Sequence, residues 1–212
     1  MRFLLPFFAL VVSSSAYCSE AGDVHSDLGE ALADPATALI VPRPSIHFVS
    51  GAVVFNCEQY LQAKRTSTLA EDVNNIRQSA NYLTCDTLAL LQQAKASLPV
   101  AGQDYGKALA ESLDLRSFPS SLAPMLDDDR YTLSRMDNPA VQLSNEVVSY
   151  SSEELNFSLQ LMALADADGD GVDDWIVWMS DEAKEGNYAD YEVLLIHDPQ
   201  PGKLMTATLP NH

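Results

Sequence analysis

The residues best suited to chemistry form one acidic stretch, DADGDGVDD at positions 166–174, with five carboxylates in nine residues and no Lys or Arg until Lys184. Crowded carboxylates repel one another, and a calcium ion relieves this by accepting about six to eight oxygen ligands. Side chains at the first, third and fifth positions converge around an ion, while a glycine at the sixth permits the turn. The predicted calcium ligands are Asp166, Asp168, Asp170, the backbone carbonyl of Val172, and Asp174.

This stretch resembles the DxDxDGxxD calcium loop of EF-hand and dockerin loops and of FG-GAP/VCBS-type repeats. The match covers about a dozen residues of 212, and its one-for-one positions are Asp166, Asp168, Asp170, Gly171 and Asp174. It departs from the EF-hand at Asp173, where an apolar residue is usual, and at Val177, where a bidentate Glu is expected. Both departures favour the strand–loop–strand setting of the FG-GAP type. Because the loop occurs once, the resemblance does not imply a propeller.

A structural role for the ion is expected, because an exported protein meets calcium at a steady and abundant level. Catalysis by the ion is not expected, since calcium is a weak Lewis acid and no base or nucleophile stands at a recognisable spacing from the loop.

The beginning of the chain predicts export. Arg2 precedes an apolar run at positions 3–12, which is too short to cross a hydrocarbon layer of about 30 Å as a helix. This is typical of a secretory signal peptide covering residues 1–16, with a second cleavage site after Ala21. No later segment is apolar for long enough to span a membrane. The predicted localisation is therefore periplasmic or secreted.

The chain has three cysteines, Cys18, Cys57 and Cys85. In an oxidising compartment Cys57 and Cys85 are expected to form a disulfide, and the alternative of a catalytic thiol lacks a nearby histidine in sequence. A lipoprotein anchor on Cys18 is not expected, because the residues three and one before it are serine and tyrosine rather than leucine and a small residue.

The charge balance restricts the partners. Thirty acidic residues against twelve basic ones give a net charge of −18, which repels nucleic acids and anionic membrane surfaces. Eleven of the acids and one base lie between positions 166 and 198. A calcium ion is the expected partner, a protein or envelope polymer is a further one, and no nucleic acid is expected.

The elements that position these residues fall into successive regions. Residues 22–45 are acidic and rich in proline, which predicts an extended segment; 46–98 form a helical region, and 103–212 an α+β region. Thr68 and Glu71 have capping-box spacing, which predicts a helix that begins there. Its apolar stripe is formed by Leu69, Val73, Ile76, Ala80 and Leu83.

Apolar and polar residues alternate at positions 155–161, and three further strands are predicted at 175–180, 191–197 and 204–209. Short connections favour an antiparallel meander. The strand at 175–180 is apolar on both faces, which places it centrally under helical cover. The predicted fold is α+β, with a helical, disulfide-linked N-terminal part packed on a C-terminal β-meander.

Other candidate chemistry is weaker. His197, next to Asp198, is the histidine best placed for a function, although a strand-end role is the simpler interpretation. The pair Glu153-Glu154 and the run 127–129 are expected to be solvated carboxylates. These observations favour an exported calcium-binding protein of the cell envelope or extracellular space that acts as a non-enzymatic binding module. The alternative is a hydrolase that acts on an envelope polymer through acidic residues.

Overall fold

The computed structural model describes residues 28–92, 94, 102–136 and 140–210. The predicted signal peptide, Cys18, and the end of the predicted helical region at residues 95–98 lie outside these ranges. Within them, no helix has the length and apolar character that a membrane crossing requires.

A five-stranded antiparallel sheet forms the C-terminal part of the protein, and its strands neighbour one another in chain order. Each strand therefore pairs with the next through a hairpin, so the predicted meander and the α+β fold class are confirmed. The strands are β3 (Val141–Leu143), β4 (Val147–Ser151), β5 (Leu155–Ala165), β6 (Asp174–Ala183) and β7 (Ala189–Ile196), and a separate small hairpin consists of β1 (Ile46–His47) and β2 (Val53–Val54).

Helices cover both faces of the sheet. They are α1 (Pro35–Ile40), α2 (Cys57–Lys64), α3 (Val73–Gln78), α4 (Leu83–Leu90) and α5 (Tyr105–Ser112), with 3₁₀ turns at Ser79–Tyr82, Leu115–Ser117, Ala123–Met125 and Leu133–Arg135. Leu109 of α5 shares one core cluster with Val177 of β6, whereas Leu83 of α4 shares another with Ile176. Neighbouring residues of β6 thus face opposite layers, which explains its apolar character on both faces.

The N-terminal helices are joined by a disulfide between Cys57 of α2 and Cys85 of α4, as the sequence predicts. Asn56 caps α2 by accepting a hydrogen bond from the Gln59 N–H at 2.9 Å. Across the sheet interface, the Trp178 indole N–H donates to the Thr87 Oγ1 at 2.8 Å. This bond satisfies a buried donor and fixes α4 against β6.

The predicted helix start at Thr68 and Glu71 is wrong. Helix α3 begins at Val73, because the Asp72 side chain is its N-cap and accepts from the Asn75 N–H. The Thr68 carbonyl accepts instead from the Val49 N–H, which attaches this segment to the β1–β2 hairpin. Because residue 68 pairs with the hairpin, the predicted capping box of Thr68 and Glu71 does not form, and Asp72 caps the helix.

Two further expectations are corrected. Residues 28–33 and α1 are helical, where an extended acidic segment is predicted for 22–45. Asp34 caps α1 through the Thr37 N–H, and Pro35 suits the first turn because its missing N–H has no helical partner. The predicted strand at 204–209 forms only isolated bridges, Leu113 with Met205 and Leu195 with Thr208.

Candidate metal centre

The acidic loop connects β5 and β6, the two most extensively paired strands of the sheet. Ala165 pairs with Asp174, so residues 166–173 form the loop that closes this hairpin. Trp175 pairs with Ile196 on the other side, which brings His197 and Asp198 beside the loop. The register of three strands therefore places residues from two distant segments at one end of the sheet.

Two groups of ligand atoms converge there. One oxygen from each of Asp166, Asp168 and Asp170 lies within 4.8 Å of the others, and the same limit holds for Asp168, Asp174 and His197. Ligands on opposite sides of one calcium ion are about 4.8 Å apart, since calcium–oxygen distances are about 2.3–2.6 Å. Asp168 belongs to both groups, so the two groups adjoin at this end of the sheet, and each could hold a metal ion.

Backbone N–H groups orient the loop carboxylates. Asp166 accepts from the Gly169 N–H at 2.7 Å and from the Gly171 N–H at 3.1 Å. Asp170 accepts from the Val172 N–H at 2.8 Å. Each carboxylate oxygen retains a second lone pair, so these bonds position the side chains without consuming their capacity to bind a cation.

The tight winding depends on two glycines. Gly169 has φ of 81° and Gly171 has φ of 93°, in the left-handed region that glycine adopts without strain. A Cβ atom at either position would meet no atom within 4 Å, so the requirement for glycine comes from the backbone conformation and not from lack of space. Gly171 is the glycine at the sixth position of the predicted calcium loop.

Asp174 anchors the site from within the sheet. It is 1% exposed. Its Oδ2 accepts from the Ala167 N–H at 3.0 Å, and its Oδ1 accepts from the Asp198 N–H at 3.3 Å. The His197 Nδ1 lies 3.3 Å from the same Oδ1 and 3.4 Å from the Asp168 carboxylate. Asp174 thus ties both ends of the loop to the end of β7.

The loop concentrates negative charge. The carboxylate of Asp170, followed by desolvation and by Asp168, raises the pKa of Asp198 above its ordinary value even though Asp198 is exposed. Like charges, rather than burial, are therefore the largest cause of this shift. A bound divalent cation would cancel two of these negative charges and oppose the rise in the pKa of Asp198.

Most of the predicted ligands are brought together. Asp166, Asp168 and Asp170 form one group of converging oxygens, and Asp174 lies with Asp168 and His197 in the second group. Val172 contributes its N–H to Asp170, and its carbonyl stays a predicted ligand. His197 is the histidine that the sequence places best for a function, although a strand-end role is the simpler interpretation, and the structure sets it beside the loop. The signal for this position is the meander itself, which sets the end of one predicted strand beside the beginning of its neighbour.

The other candidate carboxylates lie elsewhere. Asp127 forms an ion pair with Arg130 at 2.6 Å, and Asp128 forms one with Arg116 at 3.1 Å. Glu153 and Glu154 are exposed in the connection between β4 and β5. None of these four carboxylates belongs to a metal-binding group among the described residues.

Comparisons with protein-family models, curated proteins and solved structures returned no match for the chain. The fold and the site define it as an α+β protein whose central β-hairpin carries an acidic loop that can hold a metal ion.

Proposed function

We propose that this is an exported calcium-binding protein of the cell envelope or extracellular space, in which calcium stabilises the central β-hairpin of a non-enzymatic binding module. The observation that carries the proposal is the convergence of Asp166, Asp168 and Asp170 within 4.8 Å, at the spacing of a DxDxDGxxD loop. Three carboxylates supply hard oxygen ligands, which calcium prefers over nitrogen or sulfur.

The proposed structural role follows from where the loop lies. It closes β5 onto β6, and its anchor Asp174 also accepts a hydrogen bond from the Asp198 N–H, two residues after the end of β7. A cation bound by the loop would cancel part of the repulsion between its carboxylates and resist separation of β5 from β6. A ligand that binds the folded chain alone shifts the unfolding equilibrium toward the native state.

The chemistry of the two groups distinguishes calcium from other ions. The first group offers oxygen only, which suits calcium, whereas the second includes the His197 imidazole, a ligand typical of zinc and other transition metals. We assign the ion to the oxygen group and treat His197 as a neighbour of that site. Replacement of His197 by alanine should therefore leave calcium binding intact.

Calcium should stabilise the protein. With a dissociation constant of about 0.1 mM, as in extracellular modules, about 1 mM free calcium adds about 1.4 kcal/mol to the free energy of unfolding. The measurement is urea denaturation, with and without calcium, on the mature chain. The double substitution Asp168→Ala with Asp170→Ala should abolish the difference, because it removes two of the three converging carboxylates.

The matched control is Glu153→Ala with Glu154→Ala, which removes the same charge from exposed carboxylates outside the loop. This variant should retain the full calcium effect. An equal loss in both double variants would reduce the effect to non-specific screening of a chain with net charge −18. Stabilisation by zinc but not by calcium, lost in His197→Ala, would assign the site to a transition metal instead.

Export is a separate part of the proposal and has its own support. The apolar run at positions 3–12 predicts a signal peptide. The protein also contains the Cys57–Cys85 disulfide, and disulfides persist in oxidising compartments but are rare in cytosolic proteins. Mass spectrometry of the protein recovered from cell fractions tests it. A cytoplasmic protein that retains residues 1–16 would contradict export.

A further inference from the structure

A cavity of about 640 Å³ lies away from the metal loop, between α2, α4 and the edge strand β7. Such a volume is within the usual range for sites that hold small molecules, about 300–1,000 Å³. Its charged lining comes from four separate parts of the chain and consists of Lys64, Glu71, Asp86, Asp190 and Glu192. Tyr60, Tyr82 and Tyr191 supply aromatic walls.

One side of the cavity already holds an ammonium group. Asp86, 7% exposed, accepts from the Tyr60 hydroxyl at 2.8 Å and from the Lys64 Nζ at 2.8 Å. The same Nζ lies 5.3 Å from the centroid of the Tyr60 ring, within the range of a cation–π contact. A carboxylate and a tyrosine ring thus form an environment in which a primary ammonium is stable.

On the opposite side, Asp190 and Glu192 form no ion pair within 4.0 Å among the described residues, and Lys64, which is paired with Asp86, is the cation nearest to Glu192 in the cavity lining. Asp190 and Glu192 alternate along β7, and the Glu192 carboxylate accepts no hydrogen bond from the residues that the structure describes. Burial, followed by repulsion from Asp190, raises the pKa of Glu192 to about 7, against a smaller opposing effect of Lys64. Burial and Asp181 also raise the pKa of Asp190. An incoming cation would relieve this repulsion.

The cavity suits an organic cation better than a metal ion. Unlike the loop carboxylates, its acidic residues form no group of three ligand atoms within 4.8 Å among the described residues. Carboxylates spread over a larger space match a cation that carries its own carbon chain, and tyrosine walls offer that chain an apolar contact. Four carboxylates and one lysine leave an excess of negative charge for it to meet.

We propose that this cavity binds an alkylammonium ion, with Glu192 and Asp190 as counter-ions and the tyrosine walls in contact with its carbon chain. The same chemistry has two sources, a free amine of the diamine type and a lysine side chain of a peptide. The site lies on different elements from the metal loop, so it goes beyond the proposed calcium function and does not depend on it.

Isothermal titration calorimetry on the mature, disulfide-bonded protein at about pH 8 tests the proposal. The probes are putrescine, a glycine–lysine–glycine peptide with blocked termini, and butane-1,4-diol as the uncharged analogue of putrescine. Binding of at least one ammonium probe, with no binding of the diol, is the expected result. Putrescine alone would identify a free amine as the source, and the peptide alone would identify a protein. Equal binding of the diol, or no binding by either ammonium probe, would overturn the proposal.

Matched variants locate the binding. Glu192→Gln keeps the shape of the side chain and removes its charge, so it should weaken binding by about tenfold. Glu153→Gln makes the same change at an exposed position outside the cavity and should leave the affinity unchanged. An equal loss in both variants would reduce the binding to general attraction between a cation and an acidic protein, which contradicts a defined site.

The pH dependence gives an independent readout. Glu192 faces Lys64 from α2, Asp86 from α4, Glu71 from the segment before α3, and Asp190 from its own strand. Protonation below about pH 7 neutralises the counter-ion and leaves it about as weak as in the Gln variant, so binding should be about fivefold weaker at about pH 6 than at about pH 8. Glu192→Gln should remove most of this dependence.

Displacement of putrescine by millimolar calcium in the variant with Asp168→Ala and Asp170→Ala would assign the cavity to metal ions and overturn the proposal.

Discussion

Replacement of Cys57 and Cys85 by alanine should lower the free energy of unfolding by more than about 3–4 kcal/mol. The disulfide spans 28 residues of sequence, and on the chain-entropy model the loss of a cross-link of this length gives the unfolded chain that much additional freedom. Both cysteines are 0% exposed, so the lost sulfur atoms add a packing defect to the entropic effect. Urea denaturation followed by circular dichroism measures the change.

The reduced wild-type protein separates the two contributions, since it loses the cross-link and keeps both sulfur atoms. It should lie between the oxidised protein and the alanine variant in stability. If reduction leaves the urea midpoint unchanged, or if the oxidised protein shows reactive thiols at positions 57 and 85, the disulfide has no stabilising role. Because α2 and α4 also carry Tyr60, Lys64 and Asp86, loss of the cross-link should weaken ammonium binding in the proposed cavity.

The substitution Gly106→Ala should destabilise the protein by about 3 kcal/mol, against the helix propensity of alanine. In an exposed helix the same change stabilises by about 1 kcal/mol. Helix α5, however, meets the turn between β3 and β4 at this position. A Cβ would lie 2.5 Å from the Val147 carbonyl oxygen and closer still to that of Ser144, and neither backbone atom can move without disturbing the hairpin.

The contact is reinforced by a hydrogen bond from the Gly106 N–H to the Asn145 carbonyl at 2.9 Å. Lys107→Ala, at the next and exposed position of α5, is the matched control and should change stability by less than about 0.5 kcal/mol. Equilibrium urea denaturation of both variants gives the comparison. A neutral or stabilising Gly106→Ala would show that α5 does not approach the hairpin this closely.

The sheet was predictable because its signals are local. Polar and apolar residues alternate along most of β5, β6 is apolar on both faces, and the connections between strands are short. Strands β3 and β4 were not predicted. The three residues of β3 are exposed or half-buried, and β4 is only five residues long, although its alternate residues Val148 and Tyr150 are buried. The capping-box prediction at Thr68 failed for a different reason. Pairing with the β1–β2 hairpin competed with the local helix signal and prevailed.

The helical N-terminal segment shows the same limit. Acidic and proline-rich composition predicted extension across 22–45, yet Asp34 and Pro35 act together as the cap and first residue of α1. Composition averages over residues, whereas a helix cap depends on one side chain and the N–H three positions later. The cap formed by Asp34 and Pro35 therefore decides the local structure, and the average composition of the segment does not.

By itself, the sequence determined the acidic loop with its spacing, the pairing of Cys57 with Cys85, and the antiparallel meander, because each depends on residues close together or on a chemical choice with few alternatives. Only the tertiary structure decided which residues distant in sequence lie beside the loop and beside the disulfide-linked helices. Strand register brings His197 and Asp198 to the loop, and the packing of α4 against β7 brings Asp86 to face Glu192. Such encounters depend on how whole elements pack, and no local pattern of residue types encodes them.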